Sequence, residues 1–144
     1  MTTLSEIRTA LAQTIKEGVD KPLHVYETVE EVANAPCIMI EPFRADYEGA
    51  FQRGMHTWEM YVFVLASRAP GSATGQKLLD QMVSGSGPNS VVQILDANPK
   101  LGGLHGVDDA ACYGMKGYGG SFEWAKVAHV GAILQVRVLI DPDA

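Results

Sequence analysis

Thr57-Trp58-Glu59-Met60-Tyr61-Val62-Phe63-Val64-Leu65-Ala66-Ser67 is apolar at almost every position. Side chains of an extended chain alternate between two faces, so Trp58, Met60, Val62, Val64 and Ala66 share one side. Tyr61, Phe63 and Leu65 make the other side nearly as apolar. A strand greasy on both faces belongs in the middle of a sheet, covered above and below or pressed against a partner. The segment before it mixes aromatics with charge (Arg44, Asp46, Tyr47, Phe51, Arg53) and carries glycines at Gly49 and Gly54. Such a segment of more than ten residues reads as an excursion that docks on something else.

The flanking segments complete a sheet around this strand. His24–Glu27 reads as a short strand, and Cys37–Ile40 as a second one stopped by Pro42. Short links predict that these two and the central strand form a meander. At the other end, Val130, Ala132, Leu134, Val136, Val138 and Ile140 alternate without a miss, with His129, Gln135 and Arg137 on the opposite face. Val107–Lys116 reads as another strand, Gly117–Gly120 as a turn, and Ser121–Ala125 as a short strand or hairpin arm.

Helices fill the rest. Thr3-Leu4-Ser5-Glu6 is a capping box, followed by Leu4, Ile7, Leu11 and Ile15 at helical spacing and a stop at Gly18. The single stripe predicts a helix lying on the sheet. After Pro70-Gly71, Ser72 or Thr74 caps a helix facing Leu78, Leu79, Met82 and Val83 inward, ended by Gly85. Pro88 suits the first position of a second short helix with Val91, Val92, Ile94 and Leu95, closed by Asn98-Pro99. The expected fold class is therefore α+β: one domain over residues 1–144, a mostly antiparallel mixed sheet, an N-terminal amphipathic helix, and a helical hairpin between the two halves of the sheet.

The chain has 144 residues, a formal net charge of -6, and 47% hydrophobic and 19% charged residues. Length and composition suit one globular core. The acidic balance argues against gripping nucleic-acid phosphates, yet suits a wall that DNA slides past. The first twenty residues lack the order of a secretory signal, and no apolar run approaches membrane-spanning length. Cys37 and Cys112 sit in apolar surroundings and read as buried free thiols of a protein made in a reducing cytoplasm.

Chemistry-bearing patterns are scarce. His24, His56, His105 and His129 fall in separate elements without ligand spacing. Adjacent Asp108 and Asp109 point to opposite faces of a strand and so share an ion poorly. Gly85-Ser86-Gly87-Pro88 joins two helices and lacks the strand and Lys of a phosphate loop. Glu59 is the one carboxylate within an apolar strand. No acid, base or nucleophile set assembles from the sequence, so the expectation is no catalytic, metal or cofactor site and no enzyme. Arginine with aromatics is instead the composition that carries energy in protein interfaces, which makes Arg44, Tyr47, Phe51, Arg53 and Arg68 the candidate interface residues.

Asp46-Tyr47-x3-Phe51-x-Arg53-Gly54, then Trp58 and a strand running into Ser67-Arg68, resembles the tail-terminator proteins of long-tailed bacteriophages, especially those infecting actinobacteria. So does the second half: a helix ending near Gly85-Ser86-Gly87, a short helix, Asn98-Pro99-Lys100-Leu101-Gly102-Gly103, Val107-Asp108-Asp109, Gly117-Tyr118-Gly119 and the long alternating last strand. The likeness covers most of the chain, without the Thr28–Glu31 loop and with only the helix from the first forty residues. It implies a virion protein, made in the host cytoplasm, that assembles as a ring, commonly a hexamer, on the head-proximal end of the tail tube. There it halts tube polymerisation and docks neck or head-completion proteins, while DNA passes through the lumen without specific binding. The alternatives are another neck protein of connector or stopper type, or a small-molecule-binding or enzymatic α/β domain using the Gly114–Gly120 turn.

Overall fold

In a computed structural model of the chain the described residues are 3–19, 24–26, 37–47, 56–67, 73–124 and 127–141. They form three helices and five strands: α1 (Leu4–Gly18), β1 (His24–Tyr26), β2 (Cys37–Asp46), β3 (His56–Ser67), α2 (Ala73–Val83), α3 (Val91–Ala97), β4 (Val107–Trp124) and β5 (Val127–Ile140). The fold is α+β with a mixed sheet of order β1-β2-β3-β5-β4, in which β3 holds the centre. Met60, Val62 and Val64 of β3 face the core, while Tyr61 and Phe63 on its other face are only partly buried.

β1, β2 and β3 are neighbours, as the short links predict, but they are not a meander, because β1 runs parallel to β2. Ten residues, 27–36, separate β1 from β2 in the chain and lie outside the described residues. The remaining pairings, β2·β3, β3·β5 and β4·β5, are antiparallel.

Pro42 does not stop β2. The strand continues to Asp46 with a register shift between Pro42 and Arg44. Proline lacks a ladder donor, and a bulge or a free edge absorbs that loss. Here both are available, since the pairing of β1 with β2 ends at Met39. Gly117–Gly120 is likewise not a turn. β4 runs through it with Gly117 at φ 65 and a shift between Lys116 and Gly120. The long alternating β5 supplies a ladder partner on both sides, so glycine there makes a bulge and not a reversal.

All three helices pack on one face of the sheet. Ile7, Leu11 and Ile15 of α1 meet Ile38, Ile40, Met60, Val62, Leu134, Val136 and Val138 of the sheet in one core, joined by Leu79 and Met82 of α2 and Leu95 of α3. Thr3 caps α1 by accepting from the Glu6 amide, and the Glu6 carboxylate accepts from the Thr3 hydroxyl. In the helical hairpin, α3 begins at Val91 with Ser90 as its cap, accepting from the Gln93 amide. Pro88 stays in the connecting turn, three positions before the helix begins. Ser72, one of the two proposed caps for α2, lies outside the described residues.

Gly18 does not end α1 through left-handed backbone. It is the last helical residue, and Val19 caps the helix in extended conformation. What requires glycine is contact: a Cβ at position 18 would lie 2.7 Å from both Cγ atoms of Ile94 on α3. Gly18→Ala gains helix propensity, worth about 0.5–1 kcal/mol, but overpacking costs about 1–3 kcal/mol. A net loss of about 1 kcal/mol is expected by urea denaturation, and an increase in stability would show that α1 and α3 can separate freely.

Candidate functional site

The face of the sheet turned away from the helices is where the unusual residues gather. At one end Cys37, Met39 and Leu65 form a small buried cluster with Tyr26 and Phe63 against it. Beyond it the face is aromatic and charged, and no described helix or strand packs on it. Phe43 stacks on Tyr61 with ring centroids 4.0 Å apart, and Tyr61 meets Phe63 edge-on. The Lys116 ammonium donates to the Tyr61 hydroxyl at 2.6 Å and lies 4.2 Å from its ring centroid.

Glu59 is the hub. Its side chain is only 13% exposed, and its carboxylate lies 3.5 Å from the Arg44 guanidinium and 3.8 Å from that of Arg137. The Tyr113 hydroxyl donates to it at 3.0 Å, and Arg137 in turn lies over the Tyr113 ring at 4.6 Å. Four strands thus contribute to one network: Arg44 from β2, Glu59 from β3, Arg137 from β5 and Tyr113 from β4. Burial, then the hydrogen bond to the Glu59 carboxylate, pushes the Tyr113 phenol above its usual range.

Two bulges make this network possible. Ile38 and Ile40 point into the core, so strict alternation would send Arg44 there too. Phe43 is the extra residue between Pro42 and Arg44, and it returns Arg44 to the outer face opposite Glu59. Tyr113 is likewise the extra residue between Cys112 and Gly114. A bulge re-aims a side chain at the cost of one ladder position, and here two do so toward the same carboxylate.

The face is close to neutral. By register it bears Arg44, Lys116 and Arg137 against Glu41, Asp46, Glu59 and Asp109, whereas the whole chain carries -6. Its opposite charges nearly balance, and Glu59 is paired with both Arg44 and Arg137, so desolvating it costs less than desolvating the acidic remainder.

Of the predicted interface residues, Arg44 joins the network. Tyr47 lies at the end of β2, 57% exposed, edge-on to His56 and Trp58 and apart from Glu59. Both belong to β2 or its immediate end and not to a loop. Trp58 packs against the main core, as its place in the apolar strand suggests. Phe51, Arg53 and Arg68 lie outside the described residues. Arg137 and Tyr113 were not among the candidates. Arg137 stood out only as a polar position on the outer side of β5, and nothing in the sequence pattern singled out Tyr113.

Among the described residues no three His, Cys, Asp or Glu side chains group to hold a metal ion, and no helix is long and apolar enough to cross a membrane. No protein-family model matches the chain, and no curated protein matches it.

Proposed function

We propose that this protein is a structural virion component, a tail terminator that crowns the head-proximal end of a phage tail tube as a ring of identical copies. The observation carrying this reading is the outer sheet face, where Arg44, Arg137 and Tyr113 are organised around Glu59 on paired strands, beside the Phe43–Tyr61 stack. Interfaces draw their energy from buried aromatic and arginine anchors held in fixed geometry. A near-neutral face is also the place where copies of a chain at -6 repel one another least. The acidic remainder suits a lumen through which DNA passes without sticking. The resemblance in the order of sequence motifs supplies the specific role, with tube subunits and neck proteins as partners.

The test is direct. Purified protein is mixed with tail tubes and imaged by electron microscopy, with a ring at the head-proximal tube end as the expected result. Failure to touch tubes while binding portal–connector complexes would favour the other neck role. Arg53→Glu is expected to leave the monomer folded and to weaken ring or tube contacts. Loss of its far-UV circular dichroism would place Arg53 in the fold instead.

A further inference from the structure

Five large hydrophobic side chains are exposed among the described residues, and they fall into two groups. Phe43 lies on the second half of β2, which β1 leaves unpaired, and Tyr47 just past its end. Tyr113, Met115 and Tyr118 lie on β4, the strand at the opposite edge of the sheet. Beside the second group is a groove of about 230 Å³ between the helical hairpin and β4, lined by Val83, Val92, Cys112, Met115 and Leu134 among others. That volume falls below the roughly 300–1,000 Å³ of small-molecule pockets, and it suits one inserted side chain.

The two edges also differ in charge. Arg44, with 65% of its side chain exposed, stands three residues before Tyr47. Around the groove, Asp80 of α2 accepts from the Tyr118 hydroxyl, and Asp96 of α3 is close enough to act electrostatically on Cys112. Lys77 is the one cation on the two helices, against these two carboxylates. One edge thus offers an exposed tyrosine beside an arginine, and the other an apolar slot with acidic neighbours. Both adjoin the network described above, through Arg44 and Tyr113 respectively.

We infer that the groove receives Tyr47 of a second copy of this chain, with that copy's Arg44, still paired with its own Glu59, on the Asp80 and Asp96 side. The contact is head-to-tail: each copy gives its β2 edge to one neighbour and its β4 groove to the other. Such heterologous contacts propagate and close into a ring when the rotation permits. The inference rests on the ring reading and identifies which surfaces the copies use.

Mixing two variants tests it. Tyr47→Asp removes the inserted side chain and Met115→Asp spoils the slot, both at exposed positions; circular dichroism and thermal melting verify that each folds. By light scattering after size exclusion, the unaltered protein is expected to oligomerise, and each variant alone to run as a monomer of 15.5 kDa. Their equimolar mixture is expected to give a heterodimer of twice that mass, because one intact tyrosine–groove pair survives. A mixture that stays monomeric, or single variants that still oligomerise, overturns the inference. Unaltered protein that remains monomeric at millimolar concentration overturns it as well. Capping of tail tubes by such monomeric protein would leave the terminator reading standing.

Discussion

Between pH 9 and about 12 the protein is expected to lose stability steeply, with Cys37 the largest single cause. Cys37 is fully buried beside Met39 and Leu65, and burial pushes its thiol from 9.0 up to about 12. Below pH 9 the thiol keeps its proton in both the folded and unfolded chain, so its contribution is complete. Above 9 the unfolded chain releases the proton while the folded chain holds it, and the equilibrium moves toward unfolding. The slope from this one group approaches about 1.4 kcal/mol per pH unit. The loss is complete once pH passes the folded value. Cys112, Tyr113 and Tyr118 are raised as well, the first two chiefly by burial and Tyr118 chiefly by its bond to Asp80, and they act in the same direction.

Urea midpoints at pH 8, 9, 10 and 11 measure the effect, and Cys37→Ala isolates the Cys37 share. The variant is expected to be weaker at pH 8 and to lose less between pH 9 and 11. Identical pH slopes for variant and parent would rule Cys37 out as the cause. In the same molecule at pH 8, Cys37 is expected to resist a thiol reagent until the chain unfolds, because reactivity follows thiolate fraction and access.

Removing the hub carboxylate should have the next largest effect. Glu59→Ala leaves two guanidiniums and a phenol without their shared acceptor. Breaking a fully buried ion pair costs about 3–5 kcal/mol, but Arg44 and Arg137 are 65% and 49% exposed. Water recovers part of that loss, so a destabilisation of about 2 kcal/mol is expected. Glu59→Gln keeps an acceptor for the Tyr113 hydroxyl and loses the charge, for an expected cost of about 1 kcal/mol. Equal costs for the two would mean that the hydrogen bond contributes nothing. No cost for either would dissolve the network as an organised site.

Several elements were legible because their signal is local and repeated. The α1 stripe and the unbroken alternation of β5 each repeat a period, and burial follows the period in both. The two-sided apolarity of β3 indicated its central place. Tertiary neighbours overruled the local signal elsewhere. Pro42 and Gly117 read as breaks, because proline and glycine weaken a strand considered alone, yet a continuous partner strand carries the ladder past both. α1 does end at Gly18 as read, but what bars a side chain there is Ile94, a residue on another helix far along the chain.

Residue pattern alone determined the α+β class, the central strand, the N-terminal helix and the helical hairpin, since each depends on spacing within one segment. It also singled out Arg44 and Tyr47. Only the tertiary structure decided that β1 runs parallel, that the helices take one face, and that Arg44 and Tyr113 meet at Glu59. For the meeting at Glu59 the reason is register: a single extra residue moves every later side chain of a strand to the other face. Whether a strand bulges depends on the ladder it joins, and that ladder lies elsewhere in the chain.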